Sequence, residues 1–282
     1  MNSLTLEKAY SHCLMLARNH YENFPVASWV LPRKMRLAVA VIYAFARTAD
    51  DLADEGPGDE ATRLNQLDSY RHKLERMAAN ETVNDPVFIA LADTVRQHRL
   101  PLQLLFDLLS AFRQDVTKKR YASFAELRDY CRRSANPVGR LLLHLNGSAD
   151  EINLKLSDQI CSSLQLINFL QDIDQDCREN DRIYIPLEEM TQYGVAESWF
   201  QQQRSDAAMQ ALLALQIRRA RQMMLAGAPL GERLKGRFGF EIRLIIQGGL
   251  RTLERLEQQQ EDLFSRPRLR RSDIVLLVLR AL

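Results

Sequence analysis

Apolar residues recur at three- and four-residue spacing along most of this chain, and the residues that usually interrupt helices are scarce. Gly and Pro number 11 and 9 among 282 residues, which is too few for a fold built from many turns and strands. The helical pattern breaks at recognisable points, namely Gly56-Pro57-Gly58, Asn136-Pro137, Pro186, Pro229 and Pro267. The spacing therefore predicts an all-α helical bundle.

The predicted helices cover, approximately, residues 4–21, 34–54, 60–79, 85–97, 101–116, 123–132, 138–147, 151–178, 206–227, 229–235, 240–262 and 272–281. Their expected N-caps include Asp85, Ser123 and Ser272. Residues 182–185 alone have some strand character. Because no internal repeat or low-complexity linker divides the chain, we expect one domain over residues 1–282.

Composition and charge exclude several classes of protein. A net charge of +2 and the lack of a dense basic recognition helix argue against a nucleic-acid partner. The cysteines are scattered, without CxxC pairing, which favours free thiols in a reducing cytoplasm. The longest uncharged apolar run, residues 37–46, is about half of the length that spans a bilayer. With no signal-like opening segment, the sequence predicts a cytoplasmic protein.

The last part of the chain couples a basic cluster to an apolar run. Arg266, Arg268, Arg270 and Arg271 precede the aliphatic residues 274–279. Such a basic amphipathic end is typical of a helix lying on an anionic membrane surface, here the inner membrane face. A final helix docked on the bundle, with a solvated approach, explains the pattern equally well.

Acidic residues continue two apolar stripes instead of standing apart from them. Val39, Tyr43 and Ala46 predict a core-facing stripe that leads into Asp50 and Asp54. A second stripe, formed by Ile160, Leu164 and Ile167, leads into a polar set on one helix face: Asn168, Asp172 and Asp176. Residues four apart stay on one face because each such step rotates by only about 40°.

Carboxylates on an inward face are costly unless they are paired or bind a cation. We therefore expect the two arrays to face each other across a cavity and to hold Mg²⁺, which prefers hard oxygen ligands and phosphate. The alternative is that each cluster is a solvated helix end; the first one stands just before a Gly-Pro-Gly turn.

Five ordered motifs resemble those of squalene and phytoene synthases. The two arrays correspond to the aspartate-rich motifs of that family, and the others match an early helix start, a mid-chain cavity segment and a short run after the second array. In this chain the five lie at residues 31–36, 43–54, 130–139, 165–176 and 182–186. The resemblance implies a single-domain isoprenoid synthase bundle with a central cavity, acting on an isoprenoid diphosphate.

The resemblance also implies a role for each matching residue. Catalytic roles are expected for Asp50, Asp54, Asp172 and Tyr130. Substrate contacts are expected from His20, Asn23, Phe24, Arg47, Gln165, Arg182 and Tyr184. Metal ligands are expected to be Asp50, Asp51, Asp54, Asn168, Asp172 and Asp176.

Departures from the family pattern suggest a specific activity. Tyr21, Glu22 and Gln171 stand where members that condense two prenyl diphosphates carry Ser, Lys and Arg, so positive charge is lost and a single diphosphate is expected. Residues 20–28 have the sequence His-Tyr-Glu-Asn-Phe-Pro-Val-Ala-Ser. In this run the chain resembles the bacterial hydroxysqualene synthases of hopanoid biosynthesis. Those convert presqualene diphosphate and water to hydroxysqualene and pyrophosphate, a carbon–oxygen lyase reaction that uses Mg²⁺ and no NADPH.

Two other functions remain open. A condensing member would make presqualene diphosphate, squalene or phytoene from two prenyl diphosphates. A non-catalytic subunit of the pathway would keep the fold without the chemistry. For each of these functions, neighbouring enzymes of the squalene pathway, upstream and downstream, are expected as partners.

Overall fold

The protein is described here by a computed structural model that covers residues 3–19, 31–54, 58–259 and 262–281. Within these ranges the helices are α1 Ser3–Asn19, α2 Arg33–Asp54, α3 Glu60–Ala78, α4 Pro86–His98, α5 Leu102–Thr117, α6 Phe124–Ser134, α7 Asn136–Asn146, α8 Glu151–Gln171, α9 Ile173–Asn180, α10 Leu187–Tyr193, α11 Ser198–Gln201, α12 Ala207–Gly227, α13 Leu230–Arg233, α14 Gly236–Gln258 and α15 Arg271–Ala281. The described residues form no strand, and the predicted all-α fold is confirmed.

The helices are grouped into two compact units. Unit 1 comprises Met1–Thr117 with Pro137–Ala149, and unit 2 comprises Lys118–Asn136 with Asp150–Leu282. Each unit is therefore built from two separate stretches of the chain. The expectation of a single domain stays a prediction.

In unit 1, α2 is the central helix and packs against α1, α3, α4 and α5. Its buried side chains recur at helical spacing and include Met35, Val41 and Phe45. The Phe45 ring meets Tyr70 of α3 and Phe88 of α4 at centroid distances of 5.4 and 6.0 Å. This buried aromatic cluster fixes the helix whose C-terminal end carries the first acidic array.

In unit 2, α8 and α12 pack closely along their lengths. The Ser163 hydroxyl donates to the Ala220 carbonyl at 2.7 Å, and an added Cβ at Gly227 would lie 2.7 Å from the Leu156 carbonyl oxygen. The chain just after α6 also contacts α8, because the Ser162 hydroxyl donates to the Asn136 side-chain oxygen at 2.8 Å. These contacts fix α8, which leads into the second array.

The structure departs from the sequence prediction around Asp172. A single helix was expected over 151–178, but the Asp172 backbone has ψ 15° and separates α8 from α9. The break coincides with contacts from a distant segment: the Gln171 amide donates to the Pro267 carbonyl at 2.8 Å, and Arg266 pairs with Asp172. Periodicity within the helix carries no sign of such contacts.

The predicted N-caps are confirmed at two positions and wrong at a third. The caps at Asp85 and Ser123 are confirmed, since their side chains accept N–H bonds from Val87 and Glu126. The cap at Ser272 is wrong, because α15 already begins at Arg271.

The two helices α10 and α11 escaped prediction because they are short. Helix α10 is bounded by Pro186 and by Gly194 at φ 67°, a pairing typical of helix ends. Residues 182–185 form one isolated bridge, between Ile183 and Arg120, and no ladder. Within the described part of the chain, every helix is too short or too polar to cross a membrane.

Candidate active site

The first acidic array lies at the end of α2, where one arginine holds two carboxylates. Arg47 Nη1 lies 3.3 Å from Asp50 Oδ2, and Nη2 lies 2.6 Å from Asp51 Oδ1. Residues three and four positions apart are neighbours on a helix surface, so this fork follows directly from the sequence spacing.

The first array does not lie on the core face that the sequence predicted. The fully buried positions at the end of α2 are Phe45, Ala49 and Ala53, whereas Tyr43 is only partly buried. The Asp50 side chain is 39% exposed. The expected core-facing stripe is therefore wrong at this end. The array occupies the flank of α2, because steps of about 100° place the acids beside the buried face.

Tyr43 lies close to this array and shares its electrostatic environment. Its pKa is raised chiefly by burial, and the negative charges of Asp50 and Asp51 raise it further, while Arg47 opposes them. The phenol therefore stays protonated and able to donate a hydrogen bond at neutral pH. Asp54, at the last turn, is exposed.

The second array follows the junction of α8 and α9. Asn168 is exposed, and Asp172 and Asp176 are partly buried. Asp172 Oδ1 lies 2.6 Å from Arg266 Nε. Burial raises the pKa of Asp172, and the charge of Arg266 acts in the opposite direction. As in the first array, the polar set lies on a partly open face, although Ile160 and Ile167 are buried as predicted.

Arg266 forms an ion pair with the second array that the sequence did not predict. The sequence placed it in the basic tail, whereas the structure brings its guanidinium onto Asp172, 94 residues earlier. Nothing in the local pattern could have indicated this pairing. Arg178, just after the second array, pairs with Asp174 at 2.8 Å.

An aromatic cluster lies beside the second array. The Phe169 ring stacks on Tyr184 at a centroid distance of 3.6 Å, and Tyr130 lies 6.1 Å from both rings. Tyr121 completes the cluster, 5.6 Å from Tyr130 and from Tyr184. All four side chains are buried. Tyr130 and Tyr184 are thus brought together as two of the predicted site residues, and Tyr121 is an addition that no motif marked.

Arg182 is tied to the second array through the backbone. Its N–H donates to the Asp176 carbonyl at 2.9 Å. Asp181, which precedes it, has a left-handed backbone conformation with φ 51°. The next N–H, of Ile183, donates to the Lys119 carbonyl at 3.0 Å. Arg182 is 5% exposed. A guanidinium is buried to this extent only where polar or anionic groups surround it.

The remaining predicted residues divide into two groups. Gln165 is partly buried on α8, one turn before Asn168. His20, Asn23 and Phe24 lie outside the described residues. That the two arrays face each other stays a prediction.

The donor set is chemically suited to Mg²⁺. Both arrays offer carboxylate oxygens, and Asn168 adds an amide oxygen, which are the ligand types that this cation prefers. Among the described residues, no three His, Cys, Asp or Glu side chains converge as a ready metal-binding group. Arg47 and Arg266 instead pair with carboxylates of the arrays, so a cation bound there would have to displace these guanidinium groups.

The thiols are free, as predicted. Cys13, Cys131 and Cys177 are buried, and Cys161 is partly buried. Burial raises the pKa of Cys131 to about 12, so this thiol is unreactive.

Comparison with known proteins identifies the family. The family model for squalene/phytoene synthase matches residues 17–273. The hydroxysqualene synthase of Rhodopseudomonas palustris is 35% identical over 257 residues, covering 90% of this chain and 86% of that protein. The hydroxysqualene synthase of Sinorhizobium fredii is 33% identical, covering 82% and 77% respectively.

A solved structure supports the same relationship. The squalene synthase HpnC from Alicyclobacillus acidocaldarius superposes with a TM-score of 0.85 at 36% identity, over 93% of this chain and 97% of that one. This chain therefore belongs to the squalene/phytoene synthase family, whose members process prenyl diphosphates.

Proposed function

We propose that this protein is a hydroxysqualene synthase, which converts presqualene diphosphate and water into hydroxysqualene and pyrophosphate. The observation that carries the proposal is the 35% identity to a hydroxysqualene synthase over 90% of this chain. The sequence departures agree with it, because Glu22 and Gln171 remove cations that a second diphosphate would need.

The residues proposed to hold Mg²⁺ are Asp50, Asp51, Asp54, Asn168, Asp172 and Asp176. When bound, the cation neutralises charge that develops on the departing pyrophosphate. Ionised carboxylates are required for this role. The Asp172 pKa, which burial raises and Arg266 restrains, therefore matters to cation binding.

The arginines of the site act on the phosphate oxygens. Arg47 Nη1 and Nη2 each meet one carboxylate, so its planar fork is already oriented along α2 for two acceptors. A guanidinium forms bidentate, charge-assisted hydrogen bonds to phosphate as readily as to carboxylate. We propose that Arg47 exchanges its carboxylate partners for phosphate oxygens when the substrate binds. Arg182, held beside Asp176, supplies further hydrogen bonds.

The aromatic cluster suits the cation that remains after pyrophosphate departs. The rings of Tyr121, Tyr130, Phe169 and Tyr184 are buried and mutually packed. Their π faces stabilise positive charge without offering a strong nucleophile. Tyr130 is proposed to orient the water that ends the reaction, with its hydroxyl as hydrogen-bond partner.

The decisive test is incubation with presqualene diphosphate and Mg²⁺, with and without NADPH, followed by product identification. We expect hydroxysqualene and pyrophosphate in both cases. Asp50→Ala and Asp172→Ala are expected to abolish pyrophosphate release while circular dichroism and the melting temperature stay near those of the wild type. Full activity of either variant would contradict the metal assignment.

A second candidate is a condensing enzyme, favoured by the 36% identity to a protein described as a squalene synthase. Farnesyl diphosphate alone distinguishes the two. Its consumption to presqualene diphosphate or squalene would favour condensation, whereas turnover of presqualene diphosphate only supports the first proposal. Failure to release pyrophosphate from any prenyl substrate would instead favour a non-catalytic subunit.

A further inference from the structure

The last described helix exposes an apolar face. Ile274, Val275, Val278 and Leu279 of α15 are 59, 64, 38 and 66% exposed; we call these four side chains the α15 outer face. Their positions, i, i+1, i+4 and i+5, fall on one side of a helix. Four large aliphatic side chains grouped on one short helix differ from the scattered exposed apolar residues of an ordinary surface.

The opposite side of α15 is anchored at both ends. The buried Asp273 carboxylate pairs with Arg251 Nε at 2.8 Å and Arg255 Nη2 at 2.6 Å, both on α14. At the other end, Arg243 Nε donates to the Ala281 carbonyl at 2.6 Å. These anchors fix the rotation of α15, so the outer face is not free to turn inward and bury itself.

The surroundings of the outer face are basic. The segment just before α15 exposes Arg268, Leu269 and Arg270, and no carboxylate of the described residues forms an ion pair with either of these guanidinium groups. Asp273, the one acid within α15, is buried and neutralised by Arg251 and Arg255. Apolar side chains flanked by cations, without an exposed acid between them, match an anionic lipid surface.

We propose that the α15 outer face, together with Arg268, Leu269 and Arg270, binds the surface of an anionic lipid bilayer. The aliphatic side chains enter the boundary between headgroups and acyl chains, and the arginines meet the lipid phosphates. The helix lies in the plane of the interface, since its 11 residues are about half of a transmembrane length. A second copy of this chain fits less well, because a two-fold contact brings like-charged arginines of both copies together.

The test measures binding of the 282-residue chain to vesicles by flotation. Vesicles of phosphatidylcholine with about 30% phosphatidylglycerol, an anionic lipid, are compared with pure phosphatidylcholine. We expect binding to the anionic vesicles that falls as salt rises, with much weaker binding to the neutral ones. Equal binding to both, or none to the anionic vesicles, overturns the proposal.

Variants assign the binding to this surface. Ile274→Ser with Leu279→Ser is expected to lower the partition coefficient by at least about tenfold, because two buried aliphatic contacts are lost. Each of Arg268→Gln and Arg270→Gln is expected to lower it by about fivefold at low salt. The matched controls are Ile152→Ser, 56% exposed on α8, and Arg218→Gln, exposed on α12; both are expected to bind as the wild type does.

Two results would count against the proposal even if vesicles are bound. Wild-type binding by the Ile274→Ser/Leu279→Ser variant would place the contact elsewhere. Sedimentation velocity provides the other result: a concentration-dependent dimer that this variant abolishes would identify a second copy as the occupant. The substituted side chains are exposed, so a folded variant is expected, and an unchanged melting temperature checks this.

Discussion

The Phe169 ring lies parallel to the Tyr184 ring, with centroids 3.6 Å and planes 8° apart. Phe169 follows Asn168 of the second acidic array on α8, and Tyr184 stands two residues after Arg182. The stack therefore joins the helix that carries the proposed cation ligands to the segment that carries a proposed phosphate contact. The same pair of side chains therefore packs the protein interior and positions residues of the proposed active site.

Removing one ring of this stack is expected to cost stability. Tyr184→Ala should lower the free energy of unfolding by about 3–5 kcal/mol, the usual range for deleting a buried aromatic side chain. Tyr184→Phe keeps the ring and should stay within about 1.5 kcal/mol of the wild type. Denaturant titration monitored by circular dichroism measures both. A loss below about 1 kcal/mol for Tyr184→Ala would show that the stack is not a structural element.

Arg47 should matter for activity far more than for stability. Its side chain is 27% exposed and that of Asp50 39%, so Arg47→Gln should change the free energy of unfolding by about 1 kcal/mol or less. Pyrophosphate release should fall by about 10²–10³-fold, as for loss of a donor that stabilises transition-state charge. Arg71→Gln, which breaks the exposed Arg71–Glu75 pair on α3, is the control and should keep full activity.

A buried polar network in unit 2 is expected to be sensitive to loss of its anion. Glu189 is 6% exposed and accepts hydrogen bonds from Gln216 Nε2 at 2.7 Å and Arg219 Nη1 at 3.0 Å. Glu189→Gln leaves a partly buried guanidinium without its counter-charge and should destabilise the protein by about 3–5 kcal/mol. Glu257→Gln, in an exposed pair with Arg221, should cost about 1 kcal/mol or less.

The close approach of α8 and α12 depends on Gly227. An added Cβ there would lie 2.6 Å from Ile160 Cγ1 and 2.7 Å from the Leu156 carbonyl oxygen. Gly227→Ala should therefore force the helices apart and cost about 1–3 kcal/mol. At Gly248 on α14 nothing lies within 4 Å of an added Cβ, so Gly248→Ala should be neutral or stabilising by up to about 1 kcal/mol. Thermal unfolding compares the two variants.

The anchoring of α15 should depend on pH through Asp273. The Arg270 N–H and the guanidinium groups of Arg251 and Arg255 lower the pKa of Asp273 to about 2 from its usual 3.8. Because the folded state favours the ionised carboxylate, its stabilising contribution is complete above about pH 4 and is lost as pH falls from about 4 to 2. Asp273→Asn should therefore release α15 at about pH 7, seen as faster proteolysis or hydrogen exchange.

The same experiment at lower pH provides the check. The difference in protection of α15 between the wild type and Asp273→Asn should shrink as pH falls through that range. Asp262→Asn, an exposed acid in the preceding segment, serves as the control and should leave α15 protected. A difference that stays constant from about pH 7 to pH 2 would contradict the assignment of the anchor to the Asp273 charge.

The helical architecture and the grouping of acids into two arrays were accessible from the sequence because both are local patterns. Helical spacing and Gly and Pro punctuation located most of the long helices to within a few residues, whereas α8 ends at Gln171 and not at the predicted 178. The spacing of Arg47, Asp50 and Asp51 already predicted that they are neighbours on the surface of α2. Short helices such as α10 were missed, since a single turn or two shows no periodicity.

Tertiary structure decided which faces are buried and which distant residues meet. The sequence predicted that the acids continue a core stripe, but the packing of α2 on its neighbours buries Phe45 and Ala49 and leaves Asp50 on a partly open flank. Arg266 reaches Asp172, and Tyr121 joins Tyr184, across separations that no local pattern encodes. These contacts depend on how helices pack, and packing is a property of complementary surfaces that only the folded chain brings together.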